Sequence, residues 1–291
     1  MWRILIIGPG DVASRLIPQL TDKFRVYALT RRSASAAALR ALGVTPIIGD
    51  LDERRSLQRI GGIADVVLHF APPPPSGTTD TRTQNLIAAL NSRGGLPRRL
   101  VYISTSGVYG DCGGAWIDET QPVQPGTARG ARRVDAESRL RDWAGTNGVR
   151  LSILRAPGIY GDGRLPEARL RAGTAVLAAA DDVYTNHIHA DDLARIAYMA
   201  MFRATPNRVY NASDDSEMKM ADYFDLVADG LKLPRPQRVS RVAAQTQLPK
   251  ELLSFMAESR RLRNDRLHRE LKVKLRYPTV REGIAAALRV R

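Results

Sequence analysis

Over the first half of the chain, short apolar runs alternate with longer stretches of helical period. Trp2–Ile7, Arg25–Leu29, Thr45–Ile48, Asp65–Phe70, Leu100–Ser104 and Leu151–Leu154 are rich in β-branched and other apolar residues with little polar alternation, which predicts strands covered on both faces. Between them, Val12–Leu20, Ser35–Leu42, Leu51–Ile60, Arg82–Ser92 and Ala131–Thr146 place apolar residues at helical spacing and predict helices. Strand and helix in this alternation imply right-handed crossovers, hence an α/β fold with a doubly wound parallel sheet. Pro72–Pro75 fits neither a strand nor a helix interior and predicts a rigid loop after the fourth strand, and 111–128 predicts a longer loop after the fifth. Past residue 160 the pattern loosens: a loop at 161–166, a helix near 191–203, a short strand at Arg208–Asn211, a helix over 218–231 ahead of Pro234, and helices to the end. The expected organisation is a nucleotide-binding domain from 1–160 plus about 183–212, and a smaller, mostly helical substrate lobe from about 161–182 and 213–291.

Composition narrows this picture. The 291 residues include 44% hydrophobic and 25% charged residues, an ordinary globular balance. The one cysteine, Cys112, excludes an internal disulfide framework and a Cys-rich zinc site. The Ile4–Ile7 run is far too short for a signal peptide or a membrane span, so a cytoplasmic protein without membrane contact is expected. The net charge of +14 is concentrated late: residues 233–291 hold twelve Arg and three Lys against five acids, with Arg260, Arg261, Arg263, Arg266 and Arg269 the densest run. No zinc-finger, helix-turn-helix or stacking pattern accompanies it, so solvated helix faces are expected rather than nucleic-acid binding. Some of these arginines could instead hold an anionic substrate, because the guanidinium fork matches carboxylate and phosphate.

The sharpest chemical pattern opens the chain. Gly8-Pro9-Gly10-Asp11-Val12-Ala13 directly follows a strand and opens a helix, the setting of a dinucleotide phosphate turn. Gly8 permits the tight turn, Gly10 a close backbone approach to a pyrophosphate, and Ala13 close helix–strand packing, while Asp11 would repel phosphate if it faced inward. The second strand ends Ala28-Leu29-Thr30-Arg31-Arg32, with no acid for a ribose hydroxyl. Arg31 and Arg32 suit a 2′-phosphate, so NADP is expected in preference to NAD. Gly49-Asp50-Leu51 follows the third strand, where Asp50 either reaches the adenine or caps a helix.

Taken in order with Tyr102–Asp111, Leu154–Gly161 and Asn186–Leu193, these stretches resemble the extended short-chain dehydrogenases/reductases, the NAD(P)-dependent epimerase and dehydratase group, over about residues 1–212. The resemblance implies a Rossmann sheet and adds Leu51, Phe70, Ala71, Ser104, Arg133 and Pro157 to the cofactor's surroundings. It implies that Thr105 hydrogen-bonds the reacting oxygen, and that two helices near 82–92 and 131–146 pair in a homodimer. The chain departs from the pattern where it matters most. The family's Tyr and Lys, four residues apart, are here Arg129 and Arg133, and an arginine cannot serve as a proton carrier near neutral pH. Tyr109 and Tyr160 are candidate replacements, although the family uses these positions for packing or cleft lining. Tyr184, His187 and His189 are further cleft candidates, and His69 is either beside the cofactor or in the core. His187-x-His189-x-Asp191-Asp192 has metal-ligand spacing, but Asp191 or Asp192 more simply caps the next helix, and no metal is expected. The function expected is an NADP-dependent oxidoreductase or epimerase/dehydratase-like enzyme on a small anionic or sugar-like substrate. The alternative is a catalytically silent NADP-binding redox sensor or partner-binding module.

Overall fold

The computed structural model describes residues 1–92 and 94–289, the side chain of Glu251 aside. Seven parallel strands form the central sheet: β1 (Arg3–Ile7), β2 (Arg25–Thr30), β3 (Thr45–Ile48), β4 (Val66–His69), β5 (Arg99–Thr105), β6 (Arg150–Ala156) and β7 (Arg208–Asn211). Their spatial order is β7-β6-β5-β4-β1-β2-β3, so the direction of winding reverses between β1 and β4. The helices are α1 (Asp11–Thr21), α2 (Ala34–Ala41), α3 (Thr81–Leu90), α4 (Ala128–Asn147), α5 (Ala190–Arg203), α6 (Met220–Leu231), α7 (Asp265–Leu271) and α8 (Val280–Arg289), with three shorter ones at 167–171, 241–247 and 250–255.

Because successive strand residues point to opposite faces, each strand feeds two cores. Ile4, Ile6, Leu68, Val101 and Ile103 pack with Leu16 and Ile17 of α1 and Leu193 and Ile196 of α5. Leu5, Ile7, Val67, Leu100 and Tyr102 pack on the other side with Leu86 and Leu90 of α3 and Leu140 and Trp143 of α4. This two-sided burial explains the unbroken apolar runs. Two smaller clusters lie apart from the sheet, one around Tyr160, Tyr223, Phe224 and Ile284, the other around Leu177, Val239 and Met256. Leu267, Leu271 and Val273, by contrast, return to the core of the central sheet.

Three elements differ from the sequence expectation. The helix expected over 51–60 is only a single 3-10 turn, Arg54–Leu57. Here the Ser56 hydroxyl donates to the carbonyls of Asp50 and Glu53 and accepts the Asp50 amide, while the Asp50 carboxylate takes the Asp52 amide. Side chains thus occupy backbone groups that a longer helix needs. Within the 111–128 loop, Trp116–Ile117 pairs in parallel with Arg261–Leu262, so the loop is anchored by the tail. The basic run is not simply solvated. Arg260 pairs with Glu258 at 2.9 Å, Arg261 with Glu217 at 2.7 Å, and Arg266 lies between Glu119 and Glu270. Much of the late positive charge therefore stitches the tail to the rest of the chain. Among the described residues, no helix is long and apolar enough to cross a membrane.

Candidate active site

The loops that leave the carboxyl ends of the strands build two adjoining cavities. The first, about 380 Å³, follows β1 to β4 and is lined by Gly8, Gly10, Arg31, Arg32, Asp50 and Phe70 among others. The β1–α1 turn lies so close to the chain after β4 that a Cβ on Gly8, whose φ is +84°, would meet the Ala71 backbone at 2.7 Å. Gly10 is different: a Cβ there would touch nothing within 4 Å. Packing does not demand glycine at that point, but a ligand approaching the backbone does. Gly10 also precedes α1 without a side-chain cap, which leaves first-turn amides for an anion. These features fit a dinucleotide pyrophosphate.

Asp11 does not oppose that fit. Its carboxylate accepts from Arg15 at 3.1 Å and lies 3.3 Å from Arg164, on the flank of α1 and outside the lining of the cavity. Val12 is half-buried and Ala13 is fully packed against the sheet, so both shape the turn from behind. At the far end, Arg31 has 59% of its side chain exposed and approaches Asp50 only to 3.9 Å. Arg82, which the sequence did not single out, also lines this end but is fixed by Asp52 at 2.7 Å and by the carbonyls of Pro72 and Pro73. Leu51 and Ala71 complete the wall.

The second cavity, about 170 Å³, follows β5 and β6. Thr105, Ser106 and Gly107 face Arg129 from α4, Pro157 and Gly158 after β6, Tyr184 to Asn186, and Phe255, Glu258 and Arg260 from the tail. Thr105 is half-buried, and its hydroxyl accepts the Gly107 amide at 3.2 Å, which fixes the side chain beside the cavity. Between the two cavities, Arg133 is turned onto β5 and donates to the Tyr102 phenol at 3.0 Å and to the Ile103 carbonyl at 2.7 Å. Ser104 lies beneath the surface: its hydroxyl donates to Glu137 at 2.6 Å. Glu137 in turn accepts two hydrogen bonds from the buried Arg155, whose guanidinium lies 4.7 Å from the Tyr109 ring.

The proton-carrier candidates separate clearly. Tyr109 is 1% exposed and donates to Asn211 at 2.7 Å, and its phenol pKa is pushed up to about 12 by burial. Tyr160 is equally buried, ringed by His187, His189 and Tyr223, with its pKa raised by burial. Neither lines the first or the second cavity, whereas Tyr184 lines the second. His69 is held in the core by Thr83 at 2.9 Å, with burial pushing its pKa down to about 3. Burial likewise lowers His187 to about 3 and His189 to about 4. His187 and His189 share a face, as their spacing implies, but His189 accepts the Asp191 amide and so caps α5 itself. Asp191 is paired with Arg15, and Asp192 accepts the amides of Arg276 and Tyr277. Among the described residues, no three His, Cys, Asp or Glu side chains are grouped to hold a metal. Cys112 is half-buried, and burial raises its thiol pKa, which does not favour a nucleophile.

Sequence reasoning missed the Phe255–Glu258–Arg260 wall and the Glu137–Arg155 pair. Both arise from contacts between distant segments, and only the expected pairing of a helix after β5 with the sheet pointed toward the second.

Known proteins share this fold. A solved structure of a functionally unknown conserved protein from Silicibacter pomeroyi DSS is 30% identical and superposes with a TM-score of 0.83 over 100% of this chain and 99% of its own. The UDP-glucose 4-epimerase of Thermotoga maritima, solved with UDP-glucose, shares the fold at 16% identity with a TM-score of 0.79, covering 99% of this chain and 97% of that one. In sequence, the UDP-glucose 4-epimerase of Azospirillum brasilense is 30% identical over 167 residues, 53% of this chain and 48% of that protein. Residues 4–213, which include the Gly8 turn and all seven strands of the central sheet but for Arg3, match the model of one family. The chain belongs to the NAD dependent epimerase/dehydratase family.

Proposed function

We propose that this protein is an NADP-dependent oxidoreductase or epimerase/dehydratase-like enzyme acting in the cytoplasm on a carbonyl or hydroxyl group of a small substrate. The observation that carries this reading is the alignment of the two cavities along one sheet edge, across the point where the winding reverses. A bound nicotinamide dinucleotide would supply or accept the hydride. Gly8, Gly10 and the start of α1 would hold its pyrophosphate, and Arg31 with Arg32 its 2′-phosphate. Arg133 would contact its ribose side, and Thr105 would orient the reacting oxygen. No tyrosine–lysine pair carries the proton: Arg129 and Arg133 occupy that turn of α4. The substrate lobe would span about 161–182 and 213–291, with α7 packed back onto the central sheet, and α3 with α4 offers the surface for a homodimer.

Calorimetric titration tests the reading. NADPH is expected to bind more tightly than NADH, and Arg31→Asp to weaken NADPH by about tenfold to a hundredfold, the range of a charged hydrogen bond. Thr105→Val is expected to cut turnover while NADPH affinity stays nearly intact. Equal affinity for both dinucleotides would remove the NADP assignment. NADPH binding with no hydride transfer to any carbonyl would leave the silent sensor as the function.

A further inference from the structure

Among the described residues, the second cavity holds a cation with no ionic or hydrogen-bond partner. Arg129 is half-buried on the first turn of α4, with its guanidinium 4.0 Å from the Phe255 ring centre. Among the described residues, its guanidinium has no hydrogen-bond or ion-pair partner and feels Glu258 only at a distance. Burial, together with Arg132 and Arg260 nearby, lowers its proton affinity, while Glu258 alone raises it. Arg260 donates to one Glu258 oxygen at 2.9 Å and also to the Gly110 carbonyl, while the other Glu258 oxygen, Oε1, is buried without a hydrogen-bond partner. Among the described residues, the lining therefore carries a net positive charge and a guanidinium fork without a hydrogen-bond partner, next to the neutral polar groups of Thr105, Thr185 and Asn186. An unpaired, partly desolvated guanidinium is costly, and the cost falls when an anion arrives.

We infer that Arg129 is the anchor for a small carboxylate, so the substrate is a short oxo or hydroxy acid rather than a nucleotide sugar. This rests on the function proposed above and adds its substrate class. Size and charge select the class. The cavity of about 170 Å³ lies below the roughly 300–1,000 Å³ usual for ligand pockets, which suits a small acid. A carboxylate brings one charge and two coplanar oxygens, matching one fork. A phosphate dianion would call for a second free cation, and Arg260 is neutralised by Glu258. The placement beside Thr105 is rigid, because the first turn of α4 presses on the 106–109 turn: a Cβ on Gly130 would meet the Gly107 carbonyl at 2.8 Å.

The test uses the full chain at fixed ionic strength in chloride, titrated with pyruvate, with its neutral amide, with inorganic phosphate and with UDP-glucose. Pyruvate is expected to bind at least tenfold more tightly than the amide. Arg129→Gln is expected to remove that preference and Arg129→Lys to restore part of it. Equal binding of acid and amide, a preference that survives Arg129→Gln, or tighter binding of phosphate or UDP-glucose would each overturn the inference. NADPH titration of the same samples keeps the two proposals apart. Failure of NADPH with pyruvate still bound counts against the cofactor assignment, and failure of pyruvate with NADPH still bound counts against Arg129.

Discussion

The two cavities are built in different ways. The walls of the first come from consecutive strand–loop–helix units within residues 8–82, each placing its ligand-facing residues a few positions after a strand. The second draws on the ends of β5 and β6, the start of α4, the 184–186 segment and the tail. One depends on local backbone geometry over an apolar sheet, the other on a buried polar network that joins distant segments. The first cavity should therefore be sensitive to backbone changes at a turn, and the second to the loss of buried polar partners.

The largest effect is expected beneath the second cavity. Glu137 and Arg155 are both 5% exposed in their side chains and paired at 2.7 Å. Glu137→Ala leaves the Arg155 guanidinium buried and unpaired, and should cost about 3–5 kcal/mol in urea unfolding. It also frees Ser104 beneath the cavity. A loss of less than about 1 kcal/mol would mean that water enters and the network is not what supports this region.

Gly8→Ala probes the first cavity and should cost about 1–3 kcal/mol, from the left-handed backbone and the contact with Ala71. NADPH binding should weaken with it, since the turn and the start of α1 move together. An unchanged unfolding midpoint would show that the turn relaxes without strain and that the contrast between the cavities is overstated.

The same contrast explains what was legible in the sequence. The Gly8 turn, the strand ends at Arg31 and Asp50, and the order of the strands are encoded by neighbours, so a short window carries them. The helix expected over 51–60 failed because Ser56 and Asp50 compete locally for its backbone groups, a detail below the resolution of hydrophobic period. Arg129 could be placed near Thr105 only through family resemblance, and its partner ring at Phe255 not at all. Arg260 reaches Gly110 across 150 positions of chain, and nothing in either stretch announces the other. The arginine-rich tail misled in the same way. Its charge reads as solvated until the acids that meet it, Glu119, Glu217 and Glu258, are brought in by the fold.

The most gradual expected effect separates the cavities by pH. The carboxylate in the first, Asp50, is half-buried, but Asp214, next to the segments that floor the second, is 4% exposed. Burial pushes the Asp214 pKa from 3.8 up to about 8, only partly offset by the hydrogen bond from the Ser216 amide. A raised carboxyl pKa means the folded state holds the proton more firmly, so this contribution is complete below 3.8 and is lost as pH rises toward 8. His69 and His187, lowered from 6.5 to about 3, and His189, lowered to about 4, act in the opposite sense. Their contribution is complete above 6.5 and is lost as pH falls. Between about 4 and 6.5 the three histidines outweigh Asp214, and stability climbs with pH; between 6.5 and 8 their contribution is complete and that of Asp214 is still being lost. Urea midpoints should therefore peak near pH 6.5 and decline by up to ~1.4 kcal/mol per pH unit above it. Asp214→Asn should flatten the decline above 6.5 and leave the acid side in place. A wild-type profile already flat between 6.5 and 8 would mean that Asp214 is ionised and solvated, and that the second cavity rests on a wetter foundation than its burial implies.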